Sequence, residues 1–295
     1  MCVIVWLEWK ESCFRANASD CRYLKSLLPR ATKFVWVHSE RAFLRALPRA
    51  THAIVWNFDP AWFACAPKLK VLATPAAGRE LVPEVGPRGI KIHFGHFHGP
   101  LMAENVAAFI LGWARGFFLK YPSPWPRTWL ADKVTDVAGT KAIIFGYGHV
   151  GRAIGEKLTA LGIEVFGVHR STDRHLVRAH LKSCEWVILA LPSTTGTDNF
   201  VDAAFLKKLP RKAVLINVGR GNSVDEVALA KALRQKQLKA AYLDVRKYEP
   251  SGTVPRFGAN NQELEKLDNC ILTPHSSAFS ANYLKLCFKE LVSEW

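Results

Sequence analysis

Apolar residues along the chain form short runs, and between these runs lie segments in which apolar positions recur at helical spacing. The runs are typical of strands in parallel sheets, and the segments between them are typical of amphipathic helices. Predicted strands cover residues 2–7, 33–37, 53–56, 71–74, 90–93, 141–145, 164–168, 186–190, 213–218, 240–245 and 270–273. Predicted helices cover residues 150–161, 224–235 and 281–294, together with a long helix that runs from near Glu104 toward Lys120 and ends at the prolines of 121–127. This alternation predicts an α/β protein with two separate parallel sheets.

The predicted strand 141–145 leads into a glycine-rich turn and then into the predicted helix 150–161. Gly146, Gly148 and Gly151 stand where a dinucleotide site needs a tight turn, a close approach of backbone to pyrophosphate, and close packing of helix on strand. The N–H groups at the start of the helix, near His149, would face the pyrophosphate. We therefore predict a dinucleotide site here, and the alternative is a glycine turn that binds nothing.

The next predicted strand, 164–168, ends where an NAD-preferring site carries an acidic residue for the ribose 2′-hydroxyl. This chain has His169, Arg170 and Ser171 there. A guanidinium can bind a 2′-phosphate through charge-assisted hydrogen bonds, whereas a carboxylate would repel it. We predict that NADP(H) is preferred and NAD(H) is the alternative. The competing interpretation of Arg170 is a solvated surface charge.

Composition restricts the class of protein. The chain has 295 residues, of which 49% are hydrophobic and 22% charged, so it can form two globular domains. The apolar run 106–114 is too short to span a membrane, and the start of the chain is expected to be a strand and not a signal peptide. The seven cysteines show no metal-ligand spacing, so we expect a reduced, cytoplasmic protein without a metal.

The formal net charge of +15 raises the question of a nucleic-acid or membrane-surface partner. The basic residues are dispersed, and the sequence contains no long Lys/Arg block and no nucleic-acid-binding motif. We therefore expect the charge to attract an anionic cofactor and a carboxylate substrate, and we expect neither nucleic acid nor membrane as a partner.

Three polar residues follow predicted strands in the second half of the chain. Arg220 stands in Leu-Ile-Asn-Val-Gly-Arg-Gly-Asn-Ser-Val-Asp-Glu, Glu249 in Leu-Asp-Val-Arg-Lys-Tyr-Glu-Pro, and His275 in Ile-Leu-Thr-Pro-His-Ser-Ser. These three segments follow the glycine motif in the chain. In this order they resemble motifs of the D-isomer-specific 2-hydroxyacid dehydrogenases, and among them of the glyoxylate/hydroxypyruvate reductases. By motif the resemblance covers residues 71–280.

The resemblance implies two doubly wound parallel-sheet domains. A Rossmann cofactor domain, residues 103–273, would be inserted into a flavodoxin-like substrate domain made of residues 1–102 and 274–295. It also implies a homodimer, for which the helix 105–119 and the tryptophans Trp113, Trp125 and Trp129 are the candidate interface. Packing of the same residues in the core is the alternative.

The resemblance further implies that Arg220, Glu249 and His275 are catalytic. Arg220 would bind the carboxylate of a 2-oxo acid and polarise its ketone, and His275 would donate the proton, with Glu249 orienting the imidazole. The predicted substrate-binding residues are Ala77, Gly78, Arg220 and His275. The predicted cofactor-binding residues are Gly146, Tyr147, Gly148, His149, Val150, Gly151, His169, Arg170, Ser171, Pro192, Thr197, Val218 and Asp244.

Two acidic residues, Asp244 and Glu104, have a structural interpretation as well as a functional one. Asp244 matches the family's acid near the nicotinamide, and an aspartate at a strand end also commonly caps a turn. Glu104 matches the Ala-Glu pair that opens the family's long helix, where an acid also stabilises a helix N-terminus.

The segment 93–102 departs from the family because it holds His93, His96 and His98. Alternation would place His96 and His98 on one side of an extended segment, but no further ligand is in register, so we expect these residues to line the cleft and not to bind a metal.

The predicted function is NADP-dependent reduction of a small 2-oxo acid, such as glyoxylate or hydroxypyruvate, to the 2-hydroxy acid. The alternatives are a dehydrogenase of a larger or phosphorylated 2-hydroxy acid, and a non-catalytic NAD(P)-sensing protein that resembles corepressors of this fold.

Overall fold

The computed structural model of the chain describes residues 1–87, 89–118, 134–247 and 262–295. The strands of these ranges are β1 (Cys2–Trp6), β2 (Lys33–Trp36), β3 (His52–Val55), β4 (Val71–Thr74), β5 (Lys91–Phe94), β6 (Lys141–Phe145), β7 (Glu164–Val168), β8 (Trp186–Leu189), β9 (Val214–Asn217), β10 (Ala240–Leu243) and β11 (Cys270–Leu272). The α-helices are α1 (Ala18–Leu27), α2 (Glu40–Ala46), α3 (His98–Ala114), α4 (His149–Ala160), α5 (Arg174–Ser183), α6 (Ala203–Leu206), α7 (Glu226–Arg234), α8 (Gln262–Glu265) and α9 (Tyr283–Ser293).

The chain divides into two compact units. The first unit comprises Met1–His98 and Phe279–Trp295, and the second comprises Gly99–Ala278. Each unit contains its own parallel sheet. The predicted α/β class with two parallel sheets is therefore confirmed.

The first unit has the strand order β2-β1-β3-β4-β5, which is a doubly wound order of the flavodoxin type. One face of its sheet packs around Phe43, whose ring contacts Trp6, Phe58 and Trp62. Phe43 is fully buried in this apolar cluster. The carboxyl end of β4 leads directly into the predicted substrate-binding turn at Ala77 and Gly78.

The second unit has the strand order β11-β10-β9-β8-β6-β7. Every residue of β8, β9 and β10 is buried, which explains why these strands are continuous apolar runs instead of alternating ones. Ile143 and Phe145 point into the cluster on one face of the sheet, and Ala142 and Ile144 into the cluster on the other. The order reverses at β6, which has β7 on one side and β8 on the other. Doubly wound sheets bind their ligands at the carboxyl ends of the strands at such a point.

Helix α3 begins earlier than we predicted and ends earlier. We expected a start near Glu104, but Pro100 occupies the first turn, where its fixed φ and missing N–H are tolerated. The helix ends before Gly116, which has φ +75°, and the N–H of Phe117 donates to the carbonyl of Gly112 in a Schellman closure. Glu104 therefore lies within the helix and is exposed, and it does not cap the N-terminus. The proline stretch 121–127 lies outside the described residues.

The two units divide after His98 and Ala278, whereas the resemblance implied boundaries after residues 102 and 273. At the second boundary, the backbone N–H groups of Ser276 and Ser277 donate to the carboxylate of Asp244 at the end of β10. These bonds attach the turn after β11 to the second unit. Among the described helices, none has the length and apolarity of a membrane span.

Candidate active site

The polar residues singled out in the second half of the sequence lie at one edge of the second unit's sheet. Because all of its strands are parallel, their carboxyl ends share that edge. Gly146 follows β6, Arg220 follows β9, Asp244 follows β10 and His275 follows β11. Strands β9, β10 and β11 are consecutive neighbours, about 4.8 Å apart. Ligands of open α/β sheets bind at this edge.

The glycine turn after β6 has the geometry of a dinucleotide site. Gly146 has φ +87°, and a Cβ built on it would lie 2.5 Å from the carbonyl oxygen of Ala190. A Cβ on Gly151 would collide with the carbonyl of Gly146, so helix and strand approach too closely for a side chain there. Gly148 is the N-cap of α4 and makes no side-chain capping bond, and a Cβ built on it meets nothing within 4 Å. The backbone thus leaves an open helix N-terminus that fits a pyrophosphate.

The side chains between and after these glycines are half-buried or exposed. The ring of Tyr147 lies against Gly167 of β7 and Gly155 of α4. It also contacts His169 edge to face, with 5.7 Å between ring centroids. Tyr147 therefore packs the turn onto β7, while His149 is exposed and Val150 half-buried on the first turn of α4.

The residues expected to bind the ribose are accessible at the end of β7. His169, Arg170 and Ser171 are all exposed, and the N–H of His169 donates to the hydroxyl of Thr172. The next acid in sequence, Asp173, accepts hydrogen bonds from the first turn of α5 as its N-cap. Its carboxylate is thus engaged by the helix backbone, and Arg170 is an exposed cation at this strand end.

The loop after β8 carries two predicted cofactor residues. The hydroxyl of Thr197 donates to the carbonyl of Pro192 at 2.6 Å and accepts from the N–H of Thr194 at 2.9 Å, which closes the loop on itself. Pro192 is exposed, whereas Val218 after β9 has a buried side chain that packs in the core. Val218 can therefore contribute its backbone to a ligand but not its side chain.

Arg220 is held by a buried amide. Asn217, at the end of β9, is fully buried; its Oδ1 accepts the N–H of Gly219 at 3.1 Å and its Nδ2 donates to the carbonyl of Arg220 at 3.0 Å. The hydroxyl of Ser223 donates to the same carbonyl at 2.7 Å. Gly221 lies directly against the backbone of Arg246 in the adjacent loop. The backbone of Arg220 is thereby fixed. Its side chain is half-buried, and Nη1 of the guanidinium donates to the carbonyl of Gly219 at 3.0 Å.

His275 lies in a strained turn fixed by Asp244. Its φ of +51° is unusual for a residue with a side chain and costs on the order of 1–3 kcal/mol. The N–H of His275 donates to the backbone carbonyl of Asp244 at 2.8 Å. The Asp244 carboxylate accepts from the hydroxyl of Thr273 at 2.5 Å and from the N–H groups of Ser276 and Ser277 at 2.8 and 3.0 Å. Asp244 therefore caps this turn, which is the alternative that the sequence left open, and it holds residues on both sides of His275.

Glu249 lies outside the described residues, so its position is not described. The segment leading to it is anchored by Glu226, a buried acid at the start of α7. Glu226 accepts the N–H of Lys247 at 2.7 Å and pairs with the guanidinium of Arg246 at 3.3 Å. Glu226 was not singled out from the sequence. Its signal is the pair of adjacent acids in Val-Asp-Glu at a helix start, of which only Asp225 is used as the N-cap.

Asn217, Ser223 and Thr273 were likewise missed from the sequence. Asn217 and Ser223 are fully buried, and Thr273 is half-buried. Their common signal is a polar residue in or after an apolar strand, since a polar group removed from water requires hydrogen-bond partners. The buried Asn217 in the run Val-Leu-Ile-Asn is the clearest case.

The predicted carboxylate-binding turn belongs to the first unit. Ala77 is exposed and Gly78 half-buried after β4, and the preceding Ala76 N–H donates to the hydroxyl of the buried Thr74. The turn therefore presents its backbone to solvent at the carboxyl edge of the first sheet.

The three histidines of 93–98 hold the C-terminal helix of the first unit. His93 Nδ1 lies 2.5 Å from Glu294, the N–H of His96 donates to Glu290 at 2.7 Å, and His98 Nε2 lies 2.7 Å from the hydroxyl of Tyr283. His98 begins α3, so the expected extended segment through His96 and His98 is wrong. Within the described ranges, no group of His, Cys, Asp and Glu has the geometry of a metal site.

Residues 108–277 match the family model of the D-isomer specific 2-hydroxyacid dehydrogenase, NAD binding domain. A glyoxylate reductase of Pyrococcus horikoshii is 30% identical over 251 residues, which cover 76% of this chain and 72% of that protein. A glycerate dehydrogenase of Methylorubrum extorquens is 29% identical over 239 residues, with coverage of 77% and 74%.

Among solved structures, the fold is similar to a D-isomer specific 2-hydroxyacid dehydrogenase from Lactobacillus delbrueckii ssp. bulgaricus in its NAD complexed form. The TM-score is 0.81, with coverage of 100% of this chain and 96% of that one. The identity is 16%, so this likeness shows the fold alone.

Two substitutions separate the ligand-binding role of the glycine turn from its structural role. Gly148→Ala has room for its methyl group in the protein, so the unfolding temperature should stay within about 2 °C, while a methyl group facing the pyrophosphate should weaken NAD(P)H binding about tenfold or more. Gly151→Ala should lower the unfolding temperature, because its methyl group would meet backbone. Both are measured by thermal unfolding and by titration of nicotinamide fluorescence. Unchanged cofactor affinity in Gly148→Ala would show that no pyrophosphate binds at this helix.

Proposed function

Because the chain belongs to the D-isomer specific 2-hydroxyacid dehydrogenase family, whose members are NAD(P)-dependent oxidoreductases, we propose that it reduces a small 2-oxo acid with NADPH. Glyoxylate and hydroxypyruvate are the proposed substrates, and the products are the corresponding 2-hydroxy acids. The matches to a glyoxylate reductase and a glycerate dehydrogenase support a substrate of this size.

The observation that carries this proposal is the placement of Arg220 and His275. They follow β9 and β11, the two strands on either side of β10, at the edge that also carries the glycine turn. Each backbone is fixed by a buried polar side chain, Asn217 for Arg220 and Asp244 for His275. Fixed placement matters because catalytic groups work best when they are held in the reactive geometry before the substrate arrives.

The chemistry of these side chains fits a 2-oxo acid. The planar, permanently charged guanidinium of Arg220 can bind the substrate carboxylate and polarise the adjacent ketone. The imidazole of His275 can donate a proton to the oxygen of the developing alcohol, because its ordinary pKa range lies near neutral pH. The nicotinamide, when bound, supplies the hydride. The proposed role of Glu249 is to orient the imidazole of His275 and favour its protonated form.

The preference for NADPH rests on the end of β7. Arg170 and Ser171 are exposed there, and the carboxylate of Asp173 is engaged as a helix cap. A 2′-phosphate would therefore meet a cation and a hydroxyl.

We also propose that the chain acts as a homodimer in the cytoplasm. Support for the dimer comes from the family and from Phe117 and Phe118, which are 78% and 40% exposed beyond the end of α3. Trp113 is half-buried on α3, and the other two tryptophans of the predicted interface lie outside the described residues. The free cysteines support a reducing compartment.

The proposed reaction is tested by NADPH oxidation at 340 nm with glyoxylate and with hydroxypyruvate. We expect turnover by the natural chain, and we expect His275→Ala to lower kcat about a hundredfold or more, since it removes the acid, while NADPH affinity changes little. His38→Ala, on the surface of the first unit, is the matched control and should retain full activity. Cofactor binding without turnover of either acid would favour the sensor protein instead.

The cofactor preference is tested by comparing kcat/KM for NADPH and NADH. The natural chain should favour NADPH, and Arg170→Ala should lower kcat/KM for NADPH about tenfold to a hundredfold, because charge-assisted hydrogen bonds to the phosphate are lost. The value for NADH should change little. Arg178→Ala, an exposed arginine on α5, controls for loss of general positive charge. A natural preference for NADH would contradict the assignment.

The oligomeric state is tested by light scattering on the purified chain. A homodimer should give about twice the chain mass of 33.0 kDa, because exposed apolar rings at the end of α3 gain from burial. A mass of one chain at micromolar concentration would show that the rings serve no stable interface.

A further inference from the structure

The carboxylate that caps the His275 turn is linked to helix α3 by a chain of side-chain hydrogen bonds. The Thr273 hydroxyl, which donates to Asp244, lies 3.0 Å from the hydroxyl of Tyr242 on β10. The Tyr242 hydroxyl donates to the amide oxygen of Asn105 on α3 at 2.6 Å. The order in space is therefore Asn105, Tyr242, Thr273 and Asp244, all within the second unit.

Tyr242 is an unexpected residue for its position. It is 2% exposed in a strand whose other members are alanine and leucine, and its ring stacks on Phe109 with 4.5 Å between ring centroids. A phenylalanine would fill this volume without burying a polar atom, and burial of a hydroxyl is unfavourable unless it is hydrogen bonded. The contribution that distinguishes tyrosine from phenylalanine here is the single hydroxyl proton of Tyr242. It is shared between two acceptors, Asn105 and Thr273, because Thr273 donates its own proton to Asp244.

The hydroxyl of Tyr242 remains protonated at the pH at which such an enzyme would work. The pKa of Tyr242 is raised to about 12, chiefly by burial; the hydrogen bonds to Thr273 and Asn105 act to lower it, and the nearby charge of Asp244 acts to raise it. Tyr242 is therefore a permanent hydrogen-bond donor between the helix and the turn, and it does not act as an acid or base.

We propose that Tyr242 is a positioning residue for the proton transfer by His275, and that it acts by fixing Thr273 and, through it, the Asp244 cap. The turn at His275 is strained, with φ +51°, so its conformation depends on the bonds that hold Thr273 on one side and Ser276 and Ser277 on the other. Tyr242 restrains the first of these sides by tying Thr273 to Asn105. This inference rests on the proposed function, in which His275 donates the proton.

The test is Tyr242→Phe, which removes the hydroxyl and keeps the stacked ring. We expect kcat with glyoxylate and NADPH to fall about tenfold or more, because a small displacement of a catalytic group costs rate, while KM for both substrates stays within about twofold. Tyr23→Phe makes the same chemical change on α1 of the first unit and should leave kcat unchanged. An unchanged kcat in folded Tyr242→Phe, with only a lower unfolding temperature, would show a purely structural role and overturn the proposal.

A second pair of variants covers the case in which Tyr242→Phe does not fold. Thr273→Val has nearly the same shape without the hydroxyl, and Thr273→Ser keeps the hydroxyl. The proposal expects Thr273→Val to lower kcat at nearly constant KM and Thr273→Ser to recover most of it. Equal kcat values for the two variants would contradict it.

A readout that does not need turnover separates this inference from the proposed function. In ¹⁵N-labelled protein, the imidazole resonances of His275 can be assigned by their loss in His275→Gln. Tyr242→Phe should shift these resonances and their titration, whereas Tyr23→Phe should not. If the natural chain reduces no 2-oxo acid, the proposed reaction fails, and the His275 resonances alone decide whether Tyr242 positions the turn. Unmoved resonances would refute it.

Discussion

Buried polar side chains at the carboxyl ends of β9 and β10 determine how the site of the second unit is built. Asn217 and Asp244 are at most 1% exposed, at the ends of strands whose other residues are apolar apart from Tyr242. A buried amide or carboxylate is unfavourable without hydrogen-bond partners, and here the partners come from the loops after the strands. The requirement to satisfy Asn217 and Asp244 therefore fixes the backbone around Arg220 and His275. A stable core and a defined site arise from the same interactions.

The sequence predicted well those features that depend on local pattern. Strands β6 and β7 have the predicted bounds, because a continuous apolar run bounded by a glycine turn has few other interpretations. The predictions for α3 and for the extended segment through His96 and His98 were wrong at their boundaries. Near the start of α3, Pro100 is compatible both with a break in the helix and with a position in its first turn, and tertiary contacts decide between the two. Helices α1, α2 and α5 were not predicted, since they bury few apolar side chains: Phe43 is the buried residue of α2 and Leu181 that of α5.

The chemical groups of the candidate site could be proposed from the sequence, but the hydrogen bonds that fix their backbones could not. Arg220 and His275 could be singled out because a glycine-flanked arginine and a Pro-His pair follow apolar runs in a known order. The bond from Asn105 to Tyr242 joins residues 137 positions apart, so no local pattern indicates it. The histidines at 93, 96 and 98 show the same limit, because their contacts lie with a helix at the other end of the chain. Glu249, which the sequence indicated with equal clarity, lies outside the described residues.

The central claim is that fixed loops of the second unit present Arg220 and His275 to a 2-oxo acid beside the nicotinamide. The most direct measurement is a crystal structure of the chain with NADP⁺ and oxamate, a carboxylate that mimics the 2-oxo acid. The account predicts that the Arg220 guanidinium lies within about 3 Å of the oxamate carboxylate and that the His275 imidazole lies within hydrogen-bond reach of the adjacent carbonyl oxygen. An oxamate bound away from both side chains, with the nicotinamide beside it, would contradict the account.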